Sequence, residues 1–477
     1  MKKILLYAAF VLFAANVFSQ TTTDALRFSL LGLNGSSNYI SKAGAIGALG
    51  GDLTSASYNP AGLGLFNRNE FSFSMGYYGA FTSSSINGIR LSDDRSNFNL
   101  GHLGMVLVAK PYTKEQLEKS SIKAVQFSFS LNRLNSFGNR TVFQRNDLNY
   151  SYISSIIDNG MSDSFMDDFY NSYVVDFDTI NNAYTSVFQN GKFNQMRFFT
   201  EEGSLDELTL SLSTNVENLL YLGATLGIPF GSYHREGSFM EERLDDQGKI
   251  TDRYEYNETK DLSAAGINLK IGAIIKPVNW FRLGVAIHTP TFYTIEDNLY
   301  SEVNYEYVSG TTWAPETYSL RTPFRFLGSI AFVLGDNTSK VAGSISADYE
   351  YADYSNMKYR LNGSIKTETD INRLLSDMYQ AANTLRLGGE LKVGPFALRG
   401  GFALMQNPYK PDVNDASAKT ITAGVGYRHK NFFLDFAYAY TKGNSNFFEY
   451  ENPSNDNTKV DLETIRHIGQ ITLGFKF

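Results

Sequence analysis

Gln470-Ile471-Thr472-Leu473-Gly474-Phe475-Lys476-Phe477 places apolar residues at every second position, with Ile471, Leu473, Phe475 and Phe477 in one row. Side chains alternate faces along a strand, so one face of this segment is greasy and the other polar or small. A strand with lipid on one side and a wet lumen on the other needs that pattern. It leaves no free edge only if it pairs with the first strand of a closed barrel. Phe475 and Phe477 are read as membrane-facing residues through which the terminal strand meets the barrel assembly machinery. The competing reading is the edge strand of a soluble sandwich.

At the other end, Met1-Lys2-Lys3 precedes an apolar stretch from Ile4 to Ala15, and Val17-Phe18-Ser19 puts small residues before Gln20. This has the form of a secretory signal peptide over 1–19, too short to span a bilayer. No cysteine is present, which excludes disulfides and lipid attachment through a thiol. No later apolar run is long enough for a spanning helix, so crossing a membrane requires strands. With 36 Phe, 30 Tyr, 40 Gly and only 2 Trp, the composition fits apolar residues spread by alternation. A net charge of −7 argues against a nucleic-acid partner.

The period-two reading continues through the chain and predicts about fourteen strands. Phe71, Phe73, Met75 and Tyr77 alternate with Ser72, Ser74 and Gly76, and Val125, Phe127, Phe129 and Leu131 with Gln126, Ser128 and Ser130. Similar segments recur near 208–213, 220–228, 262–276, 280–290, 322–334, 340–351, 384–394, 395–405, 419–429, 431–441 and 464–477. The segment 98–109 is apolar on both faces, and Leu103, Met105 and Leu107 are read as a lumen-facing row touching something inside the barrel. Connections alternate long and short, with long external loops expected at 133–205, 231–261, 291–321 and 352–383. This is the asymmetry of outer-membrane barrels. The fold class is therefore all-β, a 14-stranded antiparallel transmembrane barrel over 69–477. Its place is the outer membrane of a Gram-negative bacterium, among outer-membrane lipid. Inward positions collect charges, among them Lys270, Arg282, Arg325, Asp348, Glu350, Arg386, Glu390, Arg399 and Asp435. They are costly against lipid but natural in a hydrated lumen, as partners of one another or as a path for a polar substrate.

Residues 20–68 do not read as a strand. Gly, Ala and Ser dominate in Ser41-Lys42-Ala43-Gly44-Ala45-Ile46-Gly47-Ala48-Leu49-Gly50-Gly51-Asp52 and in Ala56-Ser57-Tyr58-Asn59-Pro60-Ala61-Gly62-Leu63-Gly64-Leu65-Phe66. Small residues let backbone pack closely in a confined space, which suits a plug folded into the lumen. The glycines match neither the phosphate-loop nor the dinucleotide pattern.

The segment ending in Asn59-Pro60-Ala61-Gly62-Leu63 resembles the hatch of the FadL/TodX-type outer-membrane transporters of long-chain fatty acids and hydrophobic compounds. Later phrases are similar too, among them Arg282-Leu283-Gly284-Val285-Ala286 ending in His288-Thr289-Pro290, Leu320-Arg321-Thr322-Pro323, and Arg386-Leu387-Gly388-Gly389-Glu390. The resemblance spans the mature chain. It implies a monomeric barrel closed by the hatch and a passive path for hydrophobic molecules such as fatty acids or aromatic hydrocarbons. Ligand contacts are implied around Asn59, Pro60, Ala61, Gly62, Leu63 and Phe66, with a lateral exit where the third strand kinks inward. Two features depart from the family. The third strand, 121–132, holds neither Gly nor Pro, and the largest loop is the second external one.

In that loop Ile153, Ile156, Ile157, Phe165 and Phe169 fall at helical spacing among polar residues. They form either a surface that captures a greasy ligand or the loop's own small core. Ile371, Leu374, Leu375 and Met378 suggest a helix that caps the barrel. The 5 histidines lie far apart, with no metal, cofactor or nucleophile-elbow motif. A lipid hydrolase built on the barrel, or a structural or adhesive barrel, are the alternatives to transport. The hydrolase would need Ser and His facing outward on neighbouring strands, which this register does not supply.

Overall fold

The computed structural model describes residues 15–111, 113, 119–159, 163–312, 315–335, 341–361, 365–411, 413–449 and 459–477. Fourteen antiparallel strands close into one barrel. They are β1 Glu70–Ile86, β2 Ile89–Ala109, β3 Ile122–Ser136, β4 Lys192–Val216 and β5 Leu220–Leu244. Then come β6 Ile250–Val278, β7 Phe281–His288, β8 Arg325–Leu334, β9 Val341–Asp353 and β10 Ala381–Val393. The last are β11 Phe396–Met405, β12 Ala418–His429, β13 Phe432–Phe448 and β14 Lys459–Lys476. The seam closes as the terminal row requires, with Phe475, Leu473 and Ile471 opposite Phe71, Phe73 and Met75 of β1.

Burial is inverted relative to a water-soluble protein. Along β14, Ile471 and Phe475 are 46% and 50% exposed, whereas Gln470 and Thr472 are buried. Ser128, Ser130, Thr209, Ser211 and Thr225 are likewise buried on the inner face. Aromatic clusters rim the apolar outer band: Trp280 stacks on Phe332 at the end with tight turns, and Phe81, Tyr438 and Tyr440 gather round His467 towards the other. Rings with one polar edge settle at such boundaries.

At the loop end the strands run further than the sequence suggests. Segment 231–261, expected as a loop, is a continuation of β5 and β6 into a hairpin that turns at 245–249. β1 and β2 meet at Asn87–Gly88, both with positive φ, as a two-residue hairpin turn demands. Segment 291–321 carries the paired strands Phe292–Asn304, Val308–Thr312 and Glu316–Arg321, and 133–205 begins and ends in strand. Above the membrane both faces are wet, so the apolar alternation fades although ladder bonding continues.

The N-terminal segment fills the lumen, with α1 Ala15–Ser29, short turns at Ser37–Ile40 and Ser55–Tyr58, and a 3-10 turn at Pro60–Leu65. α1 runs across the expected signal-peptide boundary at 19/20. Residues 1–14 lie outside the described ones. The second external loop holds α2 Tyr152–Asn159 and α3 Asp163–Asn171. α4 Ile365–Met378 buries Ile371 and Leu375 in one cluster with Ala25, Leu26 and Phe28 of α1, so it caps the plug as its periodicity indicates.

Candidate functional site

The wall holds the plug mainly by its backbone. Arg325 donates to the Ser29 carbonyl, Thr422 to Ser41 (3.0 Å), Ser346 to Ala45 (2.6 Å) and Arg282 to Leu49 (2.6 Å). His288 donates to the Tyr58 carbonyl (2.6 Å), Ser213 to Pro60 (3.1 Å), and Gln126 to Gly64 and Phe66 (3.2 and 2.9 Å). Each such bond contributes about 0.5–1.5 kcal/mol net. Because the wall binds carbonyls, the plug can use Gly, Ala and Ser without losing anchorage.

Glycines in the strands supply the room. A Cβ at Gly223 would overlap the Pro60 backbone, and one at Gly272 would overlap Asn59 Oδ1. Gly284 faces Gly47, Gly388 and Gly401 face Lys42, and Gly424 faces Ser41 in the same way. Asn59 is buried; its Nδ2 donates to the Gly47 carbonyl (2.7 Å) and its Oδ1 accepts from Ala61 N–H (3.2 Å). It therefore ties the two halves of the plug together and caps the turn that Pro60 starts. Ala61 and Gly62 are buried against the wall, and Leu63 and Phe66 pack with Leu53 and Ala56. At the underside, burial opposes ionisation of Asp52, but bonds from Ser36 Oγ (2.6 Å), Asn38 Nδ2 (2.8 Å) and Thr54 N–H (2.8 Å) hold its carboxyl below the usual range.

Above the plug lies a cavity of about 320 Å³, within the roughly 300–1,000 Å³ of small-molecule sites. Leu26, Leu30, Leu31, Tyr78, Met405 and Ile468 supply apolar lining. Arg27, Glu201, Arg325, Glu350, Arg386 and Arg466 supply charge. Glu350 accepts from both Arg325 and Arg386, the latter at 2.7 Å, while Arg27 lies over the Tyr233 ring at 3.6 Å. Of the inward charges expected from sequence, Lys270 pairs with Glu207, and Arg399 with Glu390 and Asp435. The chamber thus combines apolar and charged lining.

One side of this cavity is the third strand, which does bend. β3 pairs with β2 only from Val125↔Ala109 to Asn132↔His102. Leu134 is then an extra residue against β4, turned inward, and its carbonyl accepts from Gly32 N–H of the plug (2.8 Å). The chain continues as Asn139–Leu148 along the inner face of β1, where Ser84 donates to the Val142 carbonyl (2.6 Å). No Gly or Pro sits at the bulge; plug contacts and the inner face of β1 compensate the lost pairing. Sequence composition carried no sign of this.

Two expectations are corrected. Leu103, Met105 and Leu107 do not face the plug. Met105 and Leu107 are 38% and 41% exposed on the outer wall, opposite Phe71 and Phe129 or beside Phe127. It is Val106, fully buried, that joins Leu53, Leu63 and Phe66, with Val108 beside it. Both rows of 98–109 are apolar, and a bulge at Gly101 changes which parity faces inward. The loop residues are corrected as well: Ile153, Ile156 and Phe169 form a closed core with Phe188, Phe193, Phe239 and Tyr254, and Ile157 packs against it. They are no open capture surface. Phe165 lies within α3, its side chain outside the described residues.

No family model and no curated protein matches the chain. Solved structures do. A Pseudomonas aeruginosa FadL homologue aligns at TM-score 0.56 and 13% identity over 94% of this chain and 100% of that one. The P. putida toluene transporter TodX aligns at 0.54 and 12% over 94% and 99%, and the CymD monoaromatic hydrocarbon channel at 0.51 and 10% over the same shares. At such identities the likeness is one of fold, and the fold is the FadL-type barrel with an N-terminal plug.

Proposed function

We propose that the chain is an outer-membrane diffusion channel for hydrophobic molecules with a polar end, long-chain fatty acids among them, gated by the 20–68 hatch. The observation that carries this reading is the chamber over the hatch, lined both by apolar residues and by arginine and glutamate. An amphiphile there can place its chain against Leu26, Leu30 and Ile468 and its head near Arg325, Arg386 or Arg466. The inward bend of β3 beside the same chamber supports a sideways path into lipid, because β2 above Leu100 pairs with β1 alone among the described residues. The plug favours transport over a purely structural or adhesive barrel, which needs no lumen filled by movable, backbone-tethered chain. The likeness to hydrophobic-compound channels supports a transport role for the barrel.

The test is to purify the protein from its own membrane, extract it, and identify co-purifying amphiphiles by mass analysis, beside uptake of labelled palmitate and toluene by a deletion strain. A bound amphiphile and reduced palmitate uptake are expected. An empty barrel together with unchanged uptake of both compounds sinks the proposal.

A further inference from the structure

Ser72, His102 and Asn132 are 30 residues apart in sequence, yet the register of β1, β2 and β3 brings them into line. Ser72 Oγ lies 2.9 Å from His102 Nε2, and His102 Nδ1 lies 2.6 Å from Asn132 Oδ1. All three are buried in the inner wall. Nucleophile, base and orienting group thus stand in the order a serine hydrolase uses.

The direction of every proton in this row follows from its far end. Glu207 pairs with Lys270 and accepts from Ser57 Oγ of the hatch (2.7 Å). Ser57 Oγ has therefore spent its proton and accepts from Asn132 Nδ2 (2.9 Å). That fixes the amide so that Oδ1 faces the imidazole and accepts its Nδ1–H. Nε2 of the neutral ring is left as an acceptor, and Ser72 O–H must donate to it. That polarity is the one a serine nucleophile requires of its base.

Ser72 lines a cavity of about 20 Å³, room for one water, together with Leu53, Asp52 and Asn38 of the hatch, Glu70 of β1, Arg428 of β12 and Asp435 of β13. Arg428 Nε is buried without a hydrogen-bond partner, so a donor stands ready for an oxyanion. Leu53 packs into the closed apolar cluster of Leu63, Phe66 and Val106. Hatch residues roof the site, so substrate reaches it when the hatch shifts; to that extent the inference rests on the channel reading.

We propose that Ser72, His102 and Asn132 form a hydrolytic site that cleaves carboxylic esters of amphiphiles passing the hatch. Ser72 Oγ adds to the ester carbonyl carbon as its proton moves to His102 Nε2, and Arg428 faces the oxyanion. The intermediate collapses, the C–O bond to the alcohol breaks, and the alkoxide takes the proton from His102. Water then attacks the acyl-serine, giving its proton to His102; the proton returns to Ser72 as the carboxylic acid leaves. Ester and water become acid and alcohol, with no other reactant. Ser72 and His102 are the catalytic residues, and Asn132 is a positioning residue.

The test uses the full chain in detergent micelles, with folding verified by heat-modifiable gel migration. A fluorophosphonate probe is expected to form an adduct on Ser72, located by peptide mass spectrometry, and p-nitrophenyl octanoate is expected to be hydrolysed. Ser72→Ala abolishes both, and His102→Gln slows both by roughly 100-fold or more. Asn132→Asp, which keeps the acceptor, retains labelling that Asn132→Leu loses; a purely structural Asn132 would show no such rescue. Absence of a Ser72 adduct in both the wild type and Gly272→Val, whose hatch is displaced, overturns the inference. So does equal labelling of Ser128 and Ser130. Palmitate uptake by Ser72→Ala is expected to be unchanged, so a failure of the channel reading shows in uptake and a failure of this one in labelling.

Discussion

Gly272 is a wall position where one methyl group separates barrel stability from hatch docking. Its added Cβ would fall on Asn59 Oδ1 and lie 3.2 Å from Pro60 Cδ. Asn59 must then rotate, giving up its bonds to the Gly47 carbonyl and the Ala61 amide, both buried. A buried polar group left without a partner costs about 1–3 kcal/mol, so Gly272→Ala should weaken hatch docking by about 2–6 kcal/mol once both bonds are counted. At about 1.4 kcal/mol per decade, the undocked population rises roughly 30- to 20,000-fold. Gly328→Ala is the matched control, because a Cβ there meets nothing within 4 Å. Hydrogen exchange of peptides covering 41–66 measures the population, and gel migration of unheated samples confirms the barrel. Faster exchange of 41–66 in Gly272→Ala alone, with an intact barrel, is the expected result. Equal protection in the two variants would refute the idea that strand glycines seat the hatch.

Three other outcomes are expected. Met105→Arg, on the lipid face, should lower barrel stability in urea by about 2–4 kcal/mol, while Val106→Ala leaves the barrel midpoint nearly unchanged and speeds exchange near Leu53 and Leu63; the reverse order would restore the opposite register. Phe169→Ala should cost the external loop core about 3–5 kcal/mol, seen as selective proteolysis between 149 and 190 with the barrel undigested. Glu241 stands in the external part of β5, beyond the lipid-facing row, where burial pushes its carboxyl up to about 7 against bonds from Tyr152 N–H and Tyr254 Oη, both 2.9 Å. A raised folded pKa stabilises below the ordinary carboxylate range and is lost as pH rises towards and past 7. Loop protection should thus fall between pH 5 and 8, by an amount on the order of 3 kcal/mol, and Glu241→Gln should flatten that dependence.

The barrel, its strand number and the plug were determined by the sequence itself. Lipid and lumen act on each side chain separately, so Ile471, Leu473 and Phe475 against Thr472 and Gly474 record their faces locally, strand after strand. Asn59-Pro60-Ala61 was readable for a similar reason, since a cap and a fixed φ belong to adjacent residues. The tertiary structure decided everything that depends on register. In 98–109 both rows are apolar, so only the bulge at Gly101 and the hatch against Val106 choose the inward face. The bend of β3 has no local signature because its compensation comes from Gly32 and Ser84, distant in the chain. Ile153 and Phe169 became core only when Phe239 and Tyr254 of extended strands covered them. Ser72, His102 and Asn132 carry no motif; three strands side by side, and a hatch serine held by Glu207, set their hydrogen bonds in one direction.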